Sequence, residues 1–385
     1  LSWAPVRHIY LETLGRISMF KTRIAAAVLV SALAGPGFVH SVAAETTAID
    51  RVDSQAASFR VVEVLRNLDH PWSMAWLPDG EALIGLRPGG LLRWRPGDAR
   101  ARTIAGLPGV ADYGQGGLFD VKPAPDFAKS GEIVMAYAYA GNGGAATRVA
   151  SATMAGGRVT GVKVLFEAAP RSGSPVHFGG RLRFGPDGSL YTTFGDRGAR
   201  ERAQDQRDPA GSVYRIPPGG EPELFSSGHR NPQGLDVHPV TGALWSHEHG
   251  PKGGDEVNLL KPGRNYGWPR VTFGREYSGG KIADSGTGPG FESPLHVWVP
   301  SIAPSGMAFY KDDAFPGWKA SLFVGALRAQ LLARLTLDGD KVVAEERLLT
   351  GAIGRIREVS VGPDGLVYLL TDAGDGALYR LEPLK

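Results

Sequence analysis

"WLPDGEALIGL" (76–86), "RFGPDGSLYTTFGD" (183–196) and "VGPDGLVYLLTD" (361–372) share one grammar: an apolar residue, a Pro-Asp-Gly turn, then an alternating or apolar run. Pro fixes φ at the second turn position and Gly accepts a positive φ, so each stretch reads as a tight turn between two strands. Weaker copies are "VKPAPDFAKSGEIVMAYA" (121–138), "VHPVTGALWSHE" (237–248) and "FYKDDAFPGWKASLFVGAL" (309–327). The turns fall near positions 77, 123, 185, 238, 313 and 362. Their mean spacing of about 57 residues exceeds the ~40–50 of common propeller repeats, as insertions between strands would produce. With 54 Gly and 28 Pro in 385 residues, the chain is punctuated too densely for a helical solenoid. The expectation is an all-β fold, a six-bladed β-propeller whose blades are four-stranded antiparallel sheets around a central channel. A pair of β-sandwiches is the runner-up. The unassigned strands "SFRVVEVLRNL" (58–68) and "GALYRLEP" (376–383) are expected to pair in one blade and close the ring, which removes an exposed sheet edge.

The amino end reads differently. After Met19 come Lys21 and Arg23, an apolar run from Ile24 to Ala34, and small residues at Val42 and Ala44. That is the layout of a secretory signal cleaved after Ala44, with residues 1–18 as an upstream extension. The apolar run is too short to span a membrane stably. Residues 45–385 then form one exported domain, periplasmic or secreted, with no transmembrane segment. The absence of cysteine excludes disulfides, thiolate metal ligands and a Cys nucleophile. A net charge of +3, without a basic run interleaved with aromatics, argues against a nucleic-acid partner.

In a propeller, loops from several blades converge on one rim of the channel. Polar residues that neither turns nor strands require occur in that scattered way: Gln115 in "YGQGG", His177 in "HFGGRLRFGPDG", Asp196 in "FGDRG", and Arg230 with Asn231 in "GHRNPQG". Arg328 in "GALRAQ" and Arg355 with Arg357 in "GRIREVSVGPDG" complete the set. Arg355 and Arg357 are two apart, so on a strand they face the same way, as a clamp for an anionic ligand or as a solvated edge. His177 precedes two glycines that permit close approach, and a hairpin can bring Asp196 beside it. A carboxylate on one imidazole nitrogen fixes the tautomer and raises the basicity of the other, which suits a general base.

"EHGPKGGDE" (248–256) suits neither helix nor strand. One reading has His247 and His249 binding zinc with Glu256 or Asp255. The other has Gly250-Pro251 ending a strand and turning its carbonyls toward the channel, where they offer hard oxygens to Ca²⁺.

Taken together, "HPWSMAWLPDG", "YGQGGLFDV", "HFGGRLRFGPDGSLYTTFGDRG", "SGHRNPQGLDVHP", "HEHGPKGGDEVN", "NYGWP", "PSIAPSGMAFY" and "RIREVSVGPDGLVYLLTD" resemble the soluble quinoprotein glucose/sorbosone dehydrogenases, in order from about residue 60 to 383. The aldose sugar dehydrogenase branch is the nearest match. The resemblance implies a propeller that holds pyrroloquinoline quinone (PQQ) and Ca²⁺ and oxidises aldoses at C1 to lactones. It implies His177 as general base, Asp196 as its orienting partner, Gln115 on the sugar, and Arg230 at the quinone oxygen. It further implies Asn231, Ser301, Arg328, Arg355 and Arg357 on the cofactor, and the carbonyls of Gly250 and Pro251 on calcium. Electrons would leave to a soluble acceptor or the quinone pool. Two positions depart from glucose-oxidising relatives: Arg328 replaces Lys, and His249 replaces Gln. Insertions that shape the sugar pocket in those relatives are absent, so broad aldose specificity is expected. A metal-dependent propeller hydrolase and a non-catalytic binding propeller are the competing readings. The arginines argue against the first, since hydrolysis needs no polyanion clamp, and the intact His177 and Gly250-Pro251 set argues against the second.

Overall fold

The computed structural model describes residues 45–384, so the leader assigned to residues 1–44 lies outside them. The described residues form six small sheets. Pro71–Trp76, Ala82–Leu86, Gly90–Trp94 and Arg102–Ile104 make blade 1, and Leu118–Pro123, Glu132–Gly141, Gly144–Ala155 and Arg158–Glu167 make blade 2. Blade 3 is Leu182–Phe184, Leu190–Phe194, Ser212–Ile216 and Glu223–Ser227, and blade 4 is Pro232–Val237, Leu244–Glu248, Asp255–Leu260 and His296–Trp298. Pro304–Tyr310, Ser321–Ala326, Leu331–Asp338 and Lys341–Leu348 make blade 5. The first strand of each blade neighbours the first strand of the next, and the sixth returns to the first, so the sheets ring a channel.

Blade 6 uses both ends of the described chain. Ile356–Val361, Val367–Thr371 and Gly376–Pro383 are completed by Ser58–Leu68, which pairs antiparallel with Gly376–Pro383 in the register Phe59↔Pro383, Val61↔Leu381. The expected closure is therefore present. Two sheets carry a fifth strand that the repeat pattern did not announce. Thr46–Asp53 covers the outer edge of blade 6, and the short Arg264–Asn265 adds in parallel to the edge of blade 3.

All six repeat turns join the first strand of a blade to its second. In the three full copies the Gly N–H closes the turn onto the carbonyl three residues back: Gly80 to Leu77 at 3.0 Å, Gly188 to Gly185 at 3.0 Å and Gly365 to Gly362 at 2.9 Å. Those glycines have φ of 80°, 78° and 73°, which a Cβ would disfavour. With the turns at one mouth, the residue just past each second strand lies at the other. Arg87 and Asp372 occupy that place in blades 1 and 6, and Asp196 stands one residue further on in blade 3.

The apolar faces pack between blades. One buried cluster joins blades 5 and 6 through Phe59, Tyr310, Trp318, Phe323 and Leu369, and another joins blades 4 and 5 through Trp245, Trp298 and Leu322. Phe59 is fully buried, edge-on to Trp318 with ring centroids 5.3 Å apart. Phe59→Ala is expected to cost about 3–5 kcal/mol, the usual penalty for an aromatic cavity. Urea unfolding checks this, and a loss below about 1 kcal/mol would show that ring closure does not depend on this contact.

Candidate active site

At the mouth opposite the turns, two adjoining cavities meet. The inner one, about 510 Å³, is lined by Trp72, Arg87, Gln115, Asn231, Gln233, Arg355, Arg357 and Asp372. The outer one, about 380 Å³, is lined by Gln115, His177, Arg230, Gly250, Pro251, Tyr277, Ser301 and Arg328. Gln115, His249 and Ala303 border both. A larger cavity of about 700 Å³ opens at the turn-side mouth, where Lys122 pairs with Asp120 and Arg181 with Glu358. Those charges neutralise one another, and none of the expected site residues lies there.

His177 sits between the end of blade 2 and the first strand of blade 3 with φ of 54°, a conformation that costs a non-glycine residue energy and needs support. Its peptide N–H donates to Gln115 Oε1 at 2.8 Å, and its Nδ1 donates to Asp196 Oδ1 at 2.6 Å. Asp196 also accepts from Gly198 N at 2.7 Å and from Trp268 Nε1 at 2.8 Å. Burial raises the pKa of this carboxyl, but the His177 hydrogen bond and charge outweigh burial and hold it below the ordinary range. Burial and the Arg230 charge lower His177, against the pull of Asp196. With Nδ1 committed, the neutral ring keeps a lone pair on Nε2, and the side chain is 14% exposed.

The loop after His249 is folded by carboxylates. Asp255 accepts from Gly250 N at 2.8 Å, Ser301 Oγ at 2.8 Å, Ile302 N at 2.8 Å and Ala303 N at 3.0 Å, tying the Gly250-Pro251 bend to the entry of blade 5. Glu248 accepts from His229 Nδ1 at 2.9 Å and from the Arg230 backbone N–H. Arg230 Nη1 then donates to the carbonyls of His249 at 3.1 Å and Gly250 at 2.8 Å. Among the described residues no cluster of His, Asp and Glu suits a metal, and the zinc set His247, His249, Asp255 or Glu256 is not assembled. His247 is buried against Gly234, His249 Nε2 donates to Pro304 O at 2.6 Å, and Asp255 is engaged by its four donors. Burial brings the His249 pKa down to about 3.

The arginines divide between the cavities. Arg355 and Arg357 share Asp372 Oδ2 at 2.9 and 2.8 Å in the inner cavity, whereas Arg328 lies exposed at the outer one. Burial would raise Asp372, yet Arg357 and Arg355 hold it at about 2. Arg357 Nε is buried without a partner. Asn231 Oδ1 accepts from Gly179 N at 3.2 Å and fastens the His177 turn to blade 4. Among the lining or supporting residues that escaped the sequence reading are Arg87, Asp372, Tyr277 and Trp268. The first two were detectable, because they stand at the end of the second strand as Asp196 does.

The chain is similar to known sugar dehydrogenases. The aldose sugar dehydrogenase of Escherichia coli strain K12 is 42% identical over 343 residues, 84% of this chain and 92% of that protein. Quinoprotein glucose dehydrogenase B of Acinetobacter calcoaceticus is 26% identical over 414 residues, 83% of this chain and 86% of that protein. The crystal structure of the E. coli soluble aldose sugar dehydrogenase in its apo form matches with TM-score 0.82 at 41% identity, covering 85% of this chain and all of that one. The PQQ-bound aldose sugar dehydrogenase of Streptomyces coelicolor matches with TM-score 0.70 at 28% identity, covering 84% and 96%. Fold and relatives together define a six-bladed propeller oxidoreductase. Residues 68–380 match the Glucose / Sorbosone dehydrogenase family profile, and the chain belongs to that family.

Asp255→Ala leaves four donors of the bend without their acceptor, and a loss of about 3 kcal/mol is expected at one buried charged hydrogen-bonding centre. Denaturant titration checks it, and a stability within about 0.5 kcal/mol of wild type would show that the bend holds itself.

Proposed function

We propose that the protein oxidises aldose sugars at C1 to lactones, passing hydride to bound PQQ with Ca²⁺ alongside. One observation carries the reading: an imidazole fixed by a buried carboxylate lines the outer cavity, and the wall of the adjoining inner cavity holds two adjacent guanidiniums. A dianionic or trianionic planar ligand suits that wall, since Asp372 answers only part of the charge of Arg355 and Arg357 and leaves Arg357 Nε unpartnered. For calcium, the bend offers backbone carbonyl oxygens, the hard donors that ion accepts. The Gly250 oxygen receives Arg230 Nη1, so a cation held there would compete with that guanidinium for the carbonyl.

When bound, PQQ supplies the two-electron acceptor and Ca²⁺ a Lewis acid beside it. His177 Nε2 takes the proton of the C1 hydroxyl, and Asp196 keeps the ring in the tautomer that leaves Nε2 free. Gln115, at the border of both cavities, contacts the sugar. Arg230 keeps positive charge beside the reaction centre, while Asn231, Ser301, Arg328, Arg355 and Arg357 hold the cofactor and Gly250 and Pro251 the calcium. The open outer cavity and its exposed Tyr277 support broad aldose specificity. Residues 19–44 support export, with a soluble acceptor or the quinone pool taking the electrons. Among the described residues no helix is long and apolar enough to cross a membrane.

The test is dye reduction by purified protein supplied with PQQ and Ca²⁺ across a panel of aldoses. Turnover is expected with several sugars, and none with any sugar at stoichiometric PQQ would end the proposal. His177→Ala is expected to lower kcat about 10²- to 10⁴-fold, the usual contribution of a positioned base, with PQQ affinity nearly unchanged. Lost PQQ binding in that variant would contradict the role.

The base works only when neutral. Burial places its pKa below the ordinary value of ~6.5, so it stays neutral as pH falls through the usual imidazole range. The acid limb of kcat/KM is therefore expected below pH ~6.5, and a limb above that value would show that His177 is not the group being titrated.

A further inference from the structure

Between the third and fourth strands of blade 4, the chain leaves its own sheet for residues 261–295 and crosses to blade 3. There Arg264–Asn265 pairs in parallel with Glu223–Ser227, and the chain arrives behind Asp196. Trp268 is the residue this detour delivers. Its N–H is bonded to Gly228 O at 2.9 Å and its carbonyl accepts from Gln204 Nε2 at 2.6 Å, so the backbone is held from both sides. The ring is 6% exposed, with the Arg230 and Arg200 guanidiniums 5.4 and 5.7 Å from its centroid. The indole N–H has one direction open to it, toward Asp196 Oδ2 at 2.8 Å.

Resting on the reading of His177 as the base, we propose that Trp268 is a positioning residue of that base, acting through Asp196. A carboxylate has two oxygens and can rotate about its last bond. With Oδ1 taken by His177 and Gly198 and Oδ2 taken by Trp268, both ends are held, and the plane in which His177 must lie is set. Without the indole donor, Oδ2 is a buried, unpaired charged oxygen, and the carboxylate turns to find another partner. The indole also draws charge away from the oxygens facing the imidazole. The charged groups facing the pair are Arg197 and Arg230 beside His177, Arg200 beside Asp196, and His249 across the cavity. None of them donates to Oδ2 in a hydrogen bond the structure records.

Trp268→Phe keeps an aromatic ring between the two guanidiniums and removes only the donor. Its kcat is expected to fall about tenfold, the effect of losing one charge-assisted hydrogen bond, with KM for the sugar little changed. The same substitution in an Asp196→Ala background is expected to have almost no further effect, because the two act as one unit. A purely structural role would give the same factor in both backgrounds, and that result would overturn the inference. A second measurement does not need turnover. In apo protein labelled at histidine, the His177 ring signal, assigned by its loss in His177→Gln, is followed through a pH titration. Trp268→Phe is expected to move its midpoint, because the carboxylate that holds the imidazole then changes its orientation and its charge distribution. An unmoved midpoint overturns the inference. Wild-type protein that oxidises no aldose ends the functional proposal and leaves this titration to judge Trp268 alone.

Discussion

The site depends on the ladder that completes blade 6 with strands from both ends of the described chain. Ser58–Leu68 lies against Gly376–Pro383, and that ladder holds blade 6 to the rest of the ring. Arg355, Arg357 and Asp372 are in blade 6, His177 and Asp196 are in blade 3, and Gly250 is in blade 4. The three sets lie far apart in sequence. A ring fixes their mutual distances in a way an open stack of sheets would not, since every blade is located from two directions. Apolar packing between blades gives that ring rigidity, and a rigid scaffold can carry irregular loops at little cost to their precision.

Carboxylates then set the loops. Asp196, Glu248, Asp255 and Asp372 each stand at or just beyond a strand end, and each gathers donors from elsewhere in the chain. The pattern has one physical cause. Loop backbone at the channel mouth buries N–H groups that no sheet partner satisfies, and an ionised oxygen answers several of them at once. Asp255 does this for the bend at Gly250 and the entry to blade 5 together. The peculiar order "EHGPKGGDE" follows from this. Gly and Pro turn the chain, and the acidic residue beyond them locks the turn.

Much of this architecture was legible from sequence because turns are local. A Pro-Asp-Gly triplet declares its conformation within four residues, and its repetition declared the blade count. The hairpin that brings Asp196 to His177 was readable for the same reason. What escaped was non-local. The parallel strand Arg264–Asn265 and the arrival of Trp268 behind Asp196 depend on a crossover between blades, and no spacing rule announces one. The division of the arginines escaped too. Residues that look alike in sequence, Arg328 and Arg355, are both exposed in loops yet line different cavities, because the loops that carry them belong to different blades.

The floor of the inner cavity explains why charge remains available there. Arg181 lies across the channel, paired with Glu358 at 2.5 Å, donating to Gln233 O at 2.6 Å and set over the Trp72 ring at 4.1 Å. This plug stands between the turn-side cavity, which Arg181 lines, and the inner cavity, which Trp72 lines. It also places a second cation next to Arg357, which Arg181 repels and burial already disfavours. Glu358 answers Arg181, and Asp372 is shared between Arg355 and Arg357, so the upper side of the plug is left with more positive charge than its own carboxylates neutralise. In a site of low dielectric that surplus is strongly felt. The protein holds it in place through packing and hydrogen bonds.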